Sequence, residues 1–163
     1  MSTKSVDFVG KAKTMAITQK CQYAIRAVYE LARRYGEGPV RISDIARSQA
    51  IPARFLEVIL SQLKQGGFVA SQRGSAGGYT LARPPQKITV GEIIRFTQGP
   101  LDPVVCLFES SKERCPLYGT CAFLPMWQRA HNALSEVYDT TTFQGLLSAG
   151  DGSAAQPMAC YNI

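Results

Sequence analysis

The stretch IPARFLEVILSQLKQGGFVASQRGSAGGYTLAR, residues 51–83, changes its periodicity partway, and few architectures accommodate that change. Its first half places Phe55, Leu56, Ile59, Leu60 and Leu63 on one helical stripe. Pro52 stands at the helix start, where its missing N–H costs nothing, and Gly66 or Gly67 stands at the stop. Its second half reads as two short strand-like runs, FVASQ and YTLAR, joined by RGSAGG, whose glycines permit the positive φ of a tight hairpin. Upstream, Ala24, Ala27, Val28, Leu31 and Ala32 predict a helix over roughly 18–35, ended by Gly36, Gly38 and Pro39. In RISDIARSQAI, Ser43 is expected to cap a short helix with Ile45 and Ala46 on its buried side. Three helices with short links predict a helix-turn-helix, and the following hairpin makes it a winged helix. The expected class is mainly α with a small β-hairpin (α+β), with 15–85 forming the winged helix-turn-helix and Pro84 and Pro85 closing it.

Charge follows the same division. The chain of 163 residues carries a net +6, distributed as +2 over 1–14, +6 over 15–83 and −2 over 84–163. A phosphate backbone is the commonest reason for such an asymmetry, although charge alone equally allows a solvated basic face. In a helix-turn-helix the last helix enters the major groove by its N-terminal residues. Pro52 and Arg54 occupy that end here, with Gln62 and Lys64 further along. Arg54 suits a phosphate or a guanine edge, and Glu57 either accepts from a cytosine amine or pairs with Arg54 three residues earlier. Arg73, beside the hairpin glycines, suits a narrow minor groove or plain solvation. The expected partner is double-stranded DNA.

Downstream, TVGEIIRFTQG opens with a capping box, Thr89 to Glu92, and closes at Gly99. After a loop, MWQRAHNALSEVY repeats Met126, Ala130, Leu134 and Val137 as an apolar seam, with Trp127 and Tyr138 beside it. Such a seam needs cover, and a second subunit is the expected cover, giving a homodimer and a roughly palindromic operator; folding back on its own domain is the alternative. Residues 86–147 are thus expected to hold the loop and dimerisation helices, 148–163 a flexible tail, and 1–14 a disordered extension. No run approaches eighteen apolar residues and no secretory signal opens the chain, which predicts a cytoplasmic protein with no membrane contact and with reduced thiols.

The loop itself reads CLFESSKERCPLYGTC. Cys106, Cys115 and Cys121 are separated by eight and five residues, wider than the pairs of structural zinc sites. The spacing leaves an iron–sulfur cluster, zinc, and unligated thiols that sense oxidants or are simply buried. An enzyme with a nucleophilic cysteine is not expected, because the one histidine, His131, lies in a helix with no visible orienting carboxylate.

Taken together, MAITQKCQYAIRAVYELAR, the run ISDIARSQAIPARFLEVILSQLKQGGFVASQRGSAGGYTLARP, ITVGEIIRF and the three-cysteine loop followed by MWQRA resemble the IscR/NsrR/CymR group of bacterial repressors, the Rrf-two superfamily, over residues 15 to about 148. The resemblance implies a dimeric winged-helix transcription regulator. It implies Cys106, Cys115 and Cys121 as ligands of a [2Fe-2S] or [4Fe-4S] cluster, and Arg54, Glu57 and Arg73 on the DNA surface with Arg73 in the minor groove. Two departures stand out. Where some relatives carry a fourth-ligand His, three residues after the last cysteine, this chain has Leu124; where others use an acidic residue of the partner's first helix, it has about Gln22. The remaining candidates are Cys21, Glu109, Glu113 and His131, the last about 15 Å along its helix from Cys121 and read as a surface histidine.

Overall fold

The structure, a computed structural model, describes residues 16–74, 76–100, 102–104, 107 and 115–152. Its elements are α1 (Gln19–Arg33), α2 (Ile42–Gln49), α3 (Ala53–Gln65), β1 (Val69–Gln72), β2 (Gly78–Leu81), a 3₁₀ turn (Pro85–Lys87), α4 (Val90–Gln98), α5 (Leu124–Thr140) and α6 (Phe143–Gly152). The α+β class and the order helix, helix, helix, hairpin are those the sequence implies.

Local chemistry explains the boundaries. Thr18 accepts a hydrogen bond from the Cys21 N–H and caps α1. In α4 both halves of the capping box form: the Glu92 N–H donates to the Thr89 hydroxyl at 3.2 Å, and the Thr89 N–H to the Glu92 carboxylate at 2.8 Å. The expected Ser43 cap is a correction: α2 starts two residues earlier than such a cap would set it, Arg41 is its N-cap without a side-chain bond, and Ser43 is an exposed residue inside the helix. Asp44 in the first turn supplies the favourable charge at that end instead.

The turn from α2 to α3 passes through Ala50 in the left-handed conformation, φ 49° and ψ 49°. Alanine pays a Cβ penalty there that glycine would not. The hairpin uses its glycines in two ways. Gly74 takes φ 111°, whereas Gly77 and Gly78 lack a Cβ that would strike the Gln72 and Val40 carbonyls. The close approach at Gly78 lets Val40 exchange both backbone hydrogen bonds with Tyr79, adding a one-residue third strand to the β1–β2 ladder.

One core runs through these elements. Ala24, Val28 and Leu31 of α1, Ile45 of α2, Leu56, Ile59, Leu60 and Leu63 of α3, and Ile93 and Ile94 of α4 are all buried in it. Phe55 is a second correction: it belongs to the helical stripe by spacing but is 48% exposed, at the edge of α3 that faces α1. A third concerns the C-terminus. Residues 148–152 continue α6, within the span read as a flexible tail, because Phe143 is fully buried in the same core and α6 packs on α1. Two backbone bonds fasten that return, Val90 N–H to the Thr141 carbonyl at 2.9 Å and Phe143 N–H to the Ile88 carbonyl at 3.1 Å. Among the described residues no helix is long and apolar enough to cross a membrane.

Between these fastenings and the loop lies α5. None of its residues is buried, and Met126 and Val137 of the expected seam lie open. Its C-terminal part meets the core and α4: Tyr138 packs on the core, and Asp139 pairs with Arg95 of α4. Gly91 leaves the space that Asp139 occupies.

Two substitutions check this account by urea denaturation. Phe143→Ala is expected to cost about 3–5 kcal/mol, as for a fully buried phenylalanine. Ala50→Gly is expected to stabilise by about 0.5–1 kcal/mol, the relief of left-handed strain outweighing the greater chain entropy of glycine.

Candidate nucleic-acid interface and cysteine loop

The start of α3 is positioned by a buried carboxylate. Glu30, in the last turn of α1, has no exposed side-chain surface. Ser48 and Gln49, at the end of α2, donate to it at 2.7 and 2.9 Å, and Arg34 and Arg33 at 2.8 and 3.2 Å. Arg26, a turn earlier on α1, donates to the Gln49 carbonyl. Burial pushes the Glu30 carboxyl up, but the Ser48 and Gln49 hydrogen bonds and the two guanidinium charges outweigh it and hold the group below its ordinary value. This shell clamps α1 to the last turn of α2, directly ahead of the strained Ala50 and the start of α3.

On α3, Pro52, Arg54 and Glu57 lie exposed on the first turns. Arg54 and Glu57 form no ion pair; the Arg54 guanidinium sits instead over the Phe55 ring, 4.9 Å from its centroid. Lys64 donates to the Ser71 hydroxyl of β1 at 2.6 Å, so it bridges α3 to the hairpin. Gln62, two residues away, falls on the opposite flank of α3 and is half-buried. Arg73 is exposed at the start of the hairpin turn. Thus Pro52, Arg54 and Glu57 share one open face, Lys64 and Arg73 belong to its hairpin side, and Gln62 stands apart.

Cys106, Glu109 and Glu113 lie outside the described residues. Cys115 and Cys121 are free, half-buried thiols bracketing one compact turn. Its bonds run from the Tyr118 N–H to the Cys115 carbonyl at 3.0 Å and from the Thr120 N–H to the Leu117 carbonyl at 3.0 Å, with Gly119 at φ 92°. The Leu124 N–H then donates to the Cys121 carbonyl at 3.2 Å, so Cys121 is joined directly to the first turn of α5. Soft, partly accessible thiols in one turn are suitable donors for an iron–sulfur centre. Among the described residues no set of three or more ligating side chains is assembled.

Two of the candidate fourth ligands have other neighbours. Cys21 is wholly buried, 3.1 Å from the Thr97 hydroxyl, and burial pushes its thiol up despite that hydrogen bond. His131 has the carboxylate neighbour that the sequence did not reveal: Asp102 Oδ1, on a side chain only 8% exposed, lies 2.7 Å from its Nδ1. The approach is close but not aligned as a hydrogen bond. It links the segment before the cysteine loop to the middle of α5. Gln22 is exposed, its amide donating to the Ile17 carbonyl.

The sequence profile of Rrf2, described as an iron-dependent transcriptional regulator, matches residues 17–149. The chain belongs to the Rrf2 family of transcriptional regulators. It is 37% identical over 138 residues to the HTH-type transcriptional regulator CymR of Bacillus subtilis, covering 85% of this chain and 94% of CymR. The solved structure of that protein, titled the global cysteine regulator of B. subtilis, superposes with a TM-score of 0.69 at 36% identity, over 83% of this chain and 98% of the other. T. potens IscR superposes with a TM-score of 0.66 at 30% identity, over 90% and 96%. As a member of this family the chain is a DNA-binding regulator.

The Glu30 shell makes a signed prediction. A carboxyl held low in the folded state contributes stability that is complete above its unfolded value and is lost as pH falls through the folded one. Glu30→Gln is therefore expected to lower stability at pH 7 by about 1–3 kcal/mol. It should also flatten the loss of stability that the parent protein shows below about pH 4.5; parallel unfolding curves from pH 7 to pH 3 check both.

Proposed function

We propose that this chain is a homodimeric regulator, acting as a repressor, that binds a roughly palindromic operator and reports iron–sulfur, redox or nitric oxide status through Cys106, Cys115 and Cys121. The observation that carries this is the bond between the Cys121 carbonyl and the first turn of α5, which joins the cysteine turn to a helix with no buried residue of its own. A helix of about 25 Å with its apolar residues open needs a partner, and a second α5 is the cover that symmetry supplies.

In this reading α3 lies in the major groove. Arg54 and Glu57 meet base edges, Pro52 starts the helix against the backbone, Lys64 and Gln62 contact phosphates on either flank, and Arg73 enters the minor groove. The three thiolates would hold a [2Fe-2S] or [4Fe-4S] cluster, whose bonds to sulfur are sensitive to oxidants and nitric oxide. With their sulfurs held together, the cysteines fix the start of α5 and so the separation of the two α3 helices. Once released they leave it free, and a shift of a few kcal/mol between the two dimer geometries is enough to change operator occupancy.

A second reading has support of its own. Cys115 and Cys121 are free, half-exposed thiols of one turn, and the chain's likeness to the cysteine regulator is as strong as its likeness to IscR. In that reading thiol oxidation or a protein partner moves the same turn without a metal.

Anaerobic purification separates the two. The cluster reading expects a coloured protein with near-stoichiometric iron, lost in Cys115→Ala together with a change in operator affinity on the order of tenfold. A colourless, iron-free protein whose DNA binding responds to peroxide through Cys115 or Cys121 would establish the second.

A further inference from the structure

The recognition helix turns apolar surface outward. Val58 is 56% exposed and Phe55 48%, while Leu56, Ile59, Leu60 and Leu63 of the same helix are buried. Phe55 has an intramolecular use, since its ring supports the Arg54 guanidinium. Val58 is the more open of the two, and it lies four residues from Arg54, on the same face. With Gln19, Lys20, Tyr23, Phe55 and Ile59 it lines a shallow groove between the start of α1 and α3.

Charge selects the occupant. Lys20 lies on this groove and Arg54 stacks on its Phe55 wall, in the part of the chain that carries +6. A purely apolar partner would leave both cations without an anion. DNA supplies phosphates for them, and in the major groove the apolar group on a base edge is the C5-methyl of thymine. Resting on the DNA-binding reading above, we infer that Val58 reads a thymine methyl, so that each operator half-site carries a thymine whose 5-methyl packs on this side chain. Phe55 holds Arg54 beside that contact, and Glu57 adds the polar half of the readout.

The test uses the full chain. Operators are first selected from random duplexes, and each thymine of the selected site is then replaced singly by deoxyuridine, which removes the methyl and nothing else. One replacement per half-site is expected to weaken binding by about three- to tenfold. Val58→Ala should weaken binding to the thymine operator by a similar factor and be indifferent to that uracil, while retaining the parent's oligomeric state and salt dependence. The inference is overturned if every uracil duplex binds within twofold of the parent. It is equally overturned if the losses from uracil and from Val58→Ala simply multiply, or if Val58→Ala changes the oligomeric state, which would make the patch a protein contact. Failure to select any operator would refute the DNA-binding reading and this inference with it, whereas a selected operator insensitive to uracil refutes the inference alone.

Discussion

A carboxylate with no access to water carries the geometry of the winged helix. Glu30 is a costly residue to bury, and its charge is retained because four side-chain donors surround it. Two of those donors belong to the end of α2, so satisfying the charge also fixes where α2 ends. From that point the chain has only Ala50, Ile51 and Pro52 in which to turn into α3. The direction of α3 is therefore set less by the turn, which is strained, than by the ionic clamp before it. A helix-turn-helix held this way tolerates an exposed, chemically varied outer face on α3, because none of Arg54, Glu57 or Val58 is needed to hold it in place.

The second constraint is the closing of the chain on itself. Phe143 returns to the core built by α1 and α4, and the backbone bonds at Val90 and Phe143 fix the entry to α6. Consequently α5 is bounded at one end by packed structure and at the other by the cysteine turn. Asp102 and His131 add a contact between the loop's first residues and the helix middle. These connections leave α5 continuous with the core yet without a buried residue of its own.

Much of the fold was legible in the sequence because its determinants are local. The period switch after Gly66 and the Thr89–Glu92 box act within a few residues, and each is found in the structure. What escaped was tertiary. Glu30 beside Arg33 and Arg34 reads as a surface ion pair, and its burial depends on Ser48 and Gln49, eighteen and nineteen residues away. FQGLLSAGDG, with three glycines and one charge, lacks a helical signature, and α6 owes its place to Phe143. Cys21 carried a signal that adjacency to Gln22 obscured: its spacing of three and seven from Ala24 and Val28 places it on the core stripe of α1. For the candidate site, the exposed set Pro52, Arg54 and Glu57 followed from position on α3. The separation of Gln62 from Lys64 followed from helical geometry. The openness of Val58 and Phe55 depended on where α1 begins against α3, which no local pattern encodes.

The crossing at Gly91 has a mechanical corollary. There α4 and α5 approach closely enough that a single side-chain pair, Arg95 with Asp139, spans them, and the rest of α5 extends away from it without burying a residue. Leu124 lies fifteen residues from Asp139, about 22 Å along the axis. A tilt of only about 5° at the crossing then sweeps the cysteine end through about 2 Å, and the same leverage in reverse turns a small displacement of sulfur into a much smaller, stiffer adjustment at the base of the winged helix.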